Sequence, residues 1–326
     1  MKEKESDELA VIAEVASMYY EHDIPQNVIA EKMFFSRAKV SSLLKKAREQ
    51  GIVEIIIRFP LERVVTLERT LCEVFGLKDA VVIKNYPENN NANTRLSRLG
   101  KIAGEYLDEK LKDGDTIGLA WGRTLYQMVS QIKPKSSRDI HVVQLTGAAA
   151  DGYNAQMDSP FLVRKLAEKY RGTYSQIYAP LFVENNIVKQ SLVREVIIAK
   201  ALQEARSVDY LVTGIADFHS GDNVNSWAGY LDQARKQRLI QKGAVGFICG
   251  HFLDQNGNKI FDDVENNLIG VSLDDLKKAK NVIAVSGGVD KAHATYAALK
   301  GNYIHCLITD EFIAEKILRL YEQDKK

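Results

Sequence analysis

A chain of 326 residues is too long for one small domain, and its length alone points to about two. Its 45% apolar content is that of a globular protein with a core; the formal net charge of +1 gives no global case for a nucleic-acid partner, so any such case rests on local charge. The three cysteines, Cys72, Cys249 and Cys306, lie far apart, which excludes a disulfide framework and a cysteine metal cluster and fits a reducing cytosol. The charged start, MKEKESDELA, is no signal peptide, and no run of about eighteen apolar residues occurs to span a membrane, so the expected location is cytoplasmic.

The first expected element is an amphipathic helix from Asp7 to Glu21, with Leu9, Ile12, Ala13, Ala16 and Tyr19 or Tyr20 at helical spacing. Pro25 opens a second helix, Gln26 to Met33. Phe34-Phe35-Ser36 forms a turn, and Ser36 caps a third helix that ends at Gly51. Val53 to Ile57 then reads as a short strand, the wing of a winged domain. Two short helices crossing at a wide angle bury Ile29, Met33 and the small Ala30 on one, Phe35 in the turn, and Val40, Leu43 and Leu44 on the other.

Arg37, Lys39, Ser41, Ser42 and Lys45 are then left outward, and the window from Lys32 to Arg48 holds six basic residues and no acid. That is the charge and geometry of a helix-turn-helix in a major groove, with cations on phosphates and short side chains near bases. Gln26, Ser36, Arg37, Lys39, Ser41, Ser42 and Lys45 are the candidate DNA-binding residues. A solvated basic face on a small helical bundle is the plainer alternative. Phe34 stands where such turns prefer Gly, because the backbone there favours a left-handed conformation. Either the turn differs or the packing of Phe34 offsets the strain.

The expected domains are residues 1–57 and 58–326, with a linker helix within 58–78. Its stripe of Val64, Leu67, Leu71 and Val74 suits packing on its own domain or a dimerisation strut equally. From Ala80 onward, apolar runs at 80–83, 116–120, 141–145, 174–183, 209–215, 281–285 and 305–309 alternate with helical stretches. This predicts an α/β fold, a doubly wound, mostly parallel sheet, which binds ligands at the carboxyl ends of its strands. Gly turns follow four of these strands: Gly122 before a helix opening at Thr124, Gly147, Gly214, and Gly287-Gly288 with Lys291 in the next helical turn. Free backbone N–H groups at such turns suit an anion, although Gly is also ordinary punctuation there. The Gly-rich stretch 243–258 has no regular period, and Asp254 is either a turn residue or an acceptor for sugar hydroxyls.

Catalytic alternatives are thin. The six histidines are scattered, His141 and His293 read as structural or surface residues, and HExxH, Gly-x-Ser-x-Gly, GxGxxG and the Walker A pattern are all absent. No cofactor, metal or catalytic residue is expected.

The whole chain resembles the SorC family of bacterial sugar-binding transcriptional regulators. QNVIAEKMFFSRAKVSSLLKKAREQGIVEI is similar to its helix-turn-helix, and DGDTIGLAWGRTL, KGAVGFICGHFLDQNGN and VIAVSGGVDKAHATYAALKGNYIHCLITDEFIAEKIL to its effector-domain signatures, in the family's order. The resemblance implies a winged helix-turn-helix joined to a sugar-phosphate-binding domain related to ribose-phosphate isomerase and glucosamine-6-phosphate deaminase. It also implies a homo-oligomer, dimer or tetramer, that binds operator DNA and responds to a phosphorylated sugar. Carried over by position, Gly122, Arg123 and Thr124 form the phosphate or sugar loop, Gly287, Gly288 and Lys291 an anion site, and Asp254 a ligand contact; Thr146, Gly147 and Gly214 complete the candidate effector residues. Arg123 stands where the family has a small residue, and Thr146 where some members carry a Schiff-base lysine, so covalent capture is not expected. The alternatives are an isomerase- or deaminase-like enzyme, or a regulator sensing an unphosphorylated sugar or polyol.

Overall fold

Ser36 accepts a hydrogen bond from the backbone N–H of Lys39 at 3.2 Å, and this cap starts the third of three N-terminal helices: α1 (Lys2–Tyr20), α2 (Gln26–Lys32) and α3 (Arg37–Glu49). They enclose a small core of Ile12, Val15, Ala16, Ile29, Ala30, Val40, Leu43, Leu44 and Ala47. Met33 and Phe35 pack against it, as the crossing geometry requires. On α1 the inward stripe differs from the expected one. Val15 belongs to it, whereas Leu9 and Ala13 are exposed.

The computed structural model describes residues 2–53, 62–86, 92–149, 152–218, 231–262 and 266–325. The chain divides into two compact units, Met1–Pro60 and Leu61–Lys326. Of the wing expected at 53–57, only Val53 is described. It follows a turn and packs on the three-helix core, while residues 54–57 lie outside the described residues.

The turn between α2 and α3 is left-handed as such turns require, with Phe34 at φ 55°. Packing does not compensate, because Phe34 is 95% exposed. Left-handed backbone costs a non-Gly residue about 1–2 kcal/mol. Replacing Phe34 by Gly should therefore stabilise the N-terminal unit by about 0.5 kcal/mol, after the extra chain entropy of Gly is deducted. A rise of a few degrees in that unit's unfolding midpoint would show it.

The second unit is built on a nine-stranded sheet. The parallel strands are β1 (Asp79–Ile83), β2 (Thr116–Leu119), β3 (His141–Gln144), β4 (Thr173–Ser175), β5 (Tyr210–Asp217), β8 (Val282–Ser286) and β9 (Cys306–Asp310). Their order across the sheet is β1-β9-β8-β5-β2-β3-β4. A hairpin, β6 (Ala244–Ile248) and β7 (His251–Asp254), adds antiparallel to the end of β5. Every residue of β8 and β9 is buried, which is why these strands are continuous apolar runs rather than alternating ones.

Before β1 lies α4 (Val65–Phe75), and between the strands lie α5 (Ala92–Lys110), α6 (Arg123–Gln131), α7 (Ser159–Tyr170), α8 (Asn186–Leu192), α9 (Val196–Arg206), α10 (Gln233–Gln241), α11 (Leu273–Lys278) and α12 (Ala292–Lys300). A last helix, α13 (Glu311–Asp324), closes the unit. Glycines let α5 and α6 touch. A Cβ at Gly100 would sit 2.7 Å from the Gln127 backbone. Val64, just before α4, and Leu67 and Leu71 on it pack into the main core of this unit, so these three residues of the stripe are used within their own unit.

Chain progress runs one way from β2 through β3 to β4, and the other way from β5 through β8 to β9. Right-handed crossovers then place the connecting helices on opposite faces. The reversal falls between the neighbours β2 and β5, and ligands bind in the crevice at such a switch point. Two sequence expectations need correction. The long apolar run 174–183 forms a strand only at Thr173–Ser175; Pro180 and Phe182 make single bridges to Ala148 and Leu268. Between the runs 174–183 and 209–215, where the alternation predicts one helical stretch, from Ser191 to Ala205, there are two helices, α8 and α9, broken at Val193–Glu195.

Candidate functional site

Gly122 ends the β2 turn at φ 118°, a conformation closed to other residues, and α6 begins at Arg123. No side chain caps α6 and its first turn holds no acid, so its N-terminal dipole is left for an anion. Thr124 is buried in that first turn and Arg123 is exposed. Across the switch point, Gly287 and Gly288 follow β8, and a short turn, Val289–Lys291, leads into α12, which also lacks a side-chain cap. Thr295 fixes this start by donating to the Lys291 carbonyl at 2.8 Å, with its hydroxyl 2.9 Å from that of Ser286.

The Lys291 ammonium is enclosed there. Burial pushes it down to about 8, the neighbouring Arg123 adds to the fall, and Asp217 and Asp310 oppose it. Arg95, from the start of α5, lowers it further, with its Nε 3.9 Å from Asp310 Oδ2. Arg95 thus pairs with the buried Asp310, and Arg123, Lys291 and the buried Asp217 lie within electrostatic reach, three cations to two carboxylates. Such an arrangement attracts an anion and discourages a neutral apolar ligand.

Asp310, at the end of β9, is fully buried. Its Oδ2 accepts the Gly288 N–H at 2.7 Å and its Oδ1 the Ile313 N–H at 3.0 Å. The Gly288 amide is therefore turned inward rather than offered to a ligand. Gly288, at φ 98°, instead leaves room for Arg95, whose Nη2 would lie 3.4 Å from an added Cβ. Gly287 is needed for packing, since a Cβ there would meet Leu99 at 2.6 Å.

The other expected residues divide. Thr146 lies two residues past the end of β3, fully buried, and its hydroxyl has no hydrogen-bond partner among the described residues. A buried hydroxyl without a partner is uncommon and suits a polar ligand group. Gly147 is structural, because a Cβ would lie 2.2 Å from the Pro180 carbonyl. Gly214 does not end its strand. β5 continues to Asp217, which takes the strand-end position beside Lys291.

Asp254 is not brought to the cluster. It ends β7 and caps the turn that follows that strand, where Oδ1 accepts the N–H groups of Asn256 and Asn258, each at 2.8 Å, and Oδ2 the Asn258 side chain at 3.1 Å. Gly257 of that turn packs on Gly301, a whole helix away from Lys291 at the far end of α12. Of the two sequence alternatives, the turn residue is the observed one.

Arg95, Asp217 and Asp310 were not singled out in the sequence. Asp310 looks there like any helix cap, and Arg95 like any surface cation. Chemistry is poorly served elsewhere. Burial pushes the Cys249 and Cys306 thiols up to about 12, so neither is a nucleophile at neutral pH. His141 lies 2.7 Å from Thr173 Oγ1 and 2.9 Å from Ser175 Oγ, tying β3 to the edge strand.

In the N-terminal unit, Ser36, Arg37, Lys39, Ser41, Ser42 and Lys45 are all exposed on or beside α3, and Gln26 is half-buried at the start of α2. No acidic residue stands in the first turn of α3. Lys45 reaches Glu49 at 3.7 Å, a weak surface pair.

An α/β unit with cations gathered at its switch point, in a chain that also carries a three-helix unit with a basic α3, is the composition of a ligand-responsive regulator. The Sugar-bind family model, a sugar-binding domain, matches residues 60–319. The deoxyribonucleoside regulator of Bacillus subtilis (strain 168) is 31% identical over 317 residues, 97% of this chain and 99% of that protein. The sorbitol operon regulator of Klebsiella pneumoniae is 28% identical over 315 residues, 96% and 99% of the two chains. Among solved structures, the full-length sorbitol operon regulator SorC from Klebsiella pneumoniae superposes with a TM-score of 0.73 at 27% identity, covering 95% of this chain and 98% of that one. The chain belongs to the SorC family of sugar-binding transcriptional regulators; its relatives are regulators and not enzymes.

Proposed function

We propose that this chain binds operator DNA through α3 and is controlled by a phosphorylated sugar held at the β2/β5 switch point, in the cytoplasm and as a dimer or tetramer. The carrying observation is the convergence of Arg95, Arg123 and Lys291 with the uncapped start of α6. A sugar phosphate would set its phosphate on the α6 amides and these cations, and its hydroxyls toward Thr146 and the buried carboxylates. The regulated genes would then be those for taking up or breaking down that carbohydrate. Among the described residues no helix is long and apolar enough to cross a membrane.

Thermal unfolding of the full chain with matched sugars, polyols and their phosphates tests the ligand. A ligand at one hundred times its Kd adds about 2.7 kcal/mol. At about 2 °C or more per kcal/mol, the shift is several degrees. Stabilisation by one phosphate but not its unphosphorylated partner is the expected result. Stabilisation by the neutral form alone would favour the second reading, a polyol or free sugar donating its hydroxyls to Asp217 and Asp310.

The pH dependence follows from Lys291. A sugar phosphate is a full dianion above about pH 7, its second pKa being about 6. Lys291 loses its proton as pH rises through about 8. Affinity for the phosphate should therefore be greatest near pH 7 and decline above about pH 8. Titration calorimetry on Lys291→Arg should show that decline removed, because Arg keeps its charge.

A route to the DNA-binding unit starts at Asp310. Asn85 Nδ2 lies 3.5 Å from Asp310 Oδ1, and the Asn85 N–H donates to Glu311 at 3.0 Å. The preceding Lys84 pairs with Glu62 at 3.2 Å and donates its N–H to the Glu62 carbonyl at 2.9 Å. Arg63 is clamped by both oxygens of Glu68, and the Val64 N–H bonds to Val82. Residues 62–64, the described start of this unit, thus rest on β1 next to the pocket's buried carboxylate. A phosphate that draws Arg95 from Asp310 shifts the group against which Asn85 is set. Asn85→Ala should still be stabilised by ligand in the melting assay. In a DNA-binding titration, its operator affinity should respond to ligand at least fivefold less than that of the parent chain.

A further inference from the structure

α8 buries none of its seven residues, and a helix that short is marginal without tertiary support. Ile187 is 79% exposed, Val196 84% and Ile197 58%, with Val188 also exposed, all within eleven consecutive residues. The helix that follows, α9, is anchored by its other face. Ile198, Ala201 and Leu202 pack with Ile177, Ala179, Val183 and Ile269 in a separate small core. The outer apolar residues are thus held rigidly outward rather than displaced from a core that lacks them.

We infer that the face formed by α8 and the first turn of α9 is where a second copy of this chain docks; this deepens the oligomer proposed above and rests on it. The four apolar side chains leave on the order of 400 Å2 exposed, as much as the largest patch of a typical monomer. That is about half of the roughly 800 Å2 each partner contributes to a stable interface, the remainder being a polar rim. The rim here carries both signs, Glu184 and Glu195 against Arg194 and Lys200, all exposed. A two-fold axis can set each sign against its opposite on the same patch of the other copy, as an isologous interface demands. A nucleic acid or an anionic membrane would need cations alone.

The test is sedimentation velocity of the full chain across a concentration series, comparing the parent with the double variant Ile187→Asp, Val196→Asp. Because both side chains are exposed, the unfolding midpoint should stay within a few degrees of the parent's. The single variant Val196→Glu serves if the pair fails to fold. The expected result is an oligomeric parent whose mass falls by half in the variant. An oligomeric parent with unchanged mass in the variants would place the contact on another face, overturning this inference but not the oligomer. A parent that stays monomeric throughout would overturn both.

Discussion

Replacing Asp310 by Ala should lower the stability of the sheet domain by about 3–5 kcal/mol, the effect of breaking a buried, hydrogen-bonded charge pair. Four partners lose their acceptor at once, the Asn85 side chain among them. Gly288 and Ile313 are left with unpaired backbone N–H groups in the interior, and Arg95 loses its counter-ion. At about 2–4 °C per kcal/mol, the unfolding midpoint falls by roughly 6–20 °C. Asp310→Asn keeps one oxygen acceptor and should cost clearly less. Equal losses from Ala and Asn would show that the negative charge, and not the amide acceptance, carries the effect. A midpoint within a degree of the parent's for Asp310→Ala would contradict the buried geometry.

Operator binding should collapse when Arg37 and Lys39 are both replaced by Ala. Each side chain is exposed at the start of α3, the part of a recognition helix that meets base edges. A base-contacting Arg is worth about 1–3 kcal/mol, roughly 5- to 150-fold in affinity, and loss of the second cation compounds it. Lys45, a turn and a half further on, should behave differently. Lys45→Ala should weaken all sequences alike and reduce the slope of log K against log salt by about 1, the signature of one lost phosphate contact. A gel-shift or anisotropy titration at several salt concentrations separates the two. Unchanged affinity in the double variant would remove α3 from the DNA interface. Neither variant touches the core of Val40, Leu43, Leu44 and Ala47, so folding should be preserved.

Much of this protein is local, and local patterns can be read in a sequence. The inward positions of α2 and α3 follow from helical spacing and the need for a small residue where helices cross. The strong central strands are uninterrupted apolar runs because both faces are covered. Ser36 is a cap because its hydroxyl can reach the Lys39 amide. The family resemblance rested on such stretches and held across the chain. Reading failed where a local pattern competed with tertiary demands. The run 174–183 has strand composition, but after Ser175 it leaves the sheet to pack under α9, joining Ile177, Ala179 and Val183 to Ile198 and Leu202.

The sequence alone therefore determined most of the elements, the α/β class, the basic helix face, the glycine turn at residue 122 with Arg123 after it and, separately, Lys291 after Gly287-Gly288. The tertiary structure decided which of these meet. Strand order comes from pairing between residues tens to hundreds of positions apart, which no window of sequence records. That order puts β2 beside β5, and so brings Arg123 and Asp217 to Lys291. It also sends Asp254 to the far end of α12 and presses Arg95 against Asp310. Charge and burial at a site are properties of neighbours in space, and only the fold supplies those neighbours.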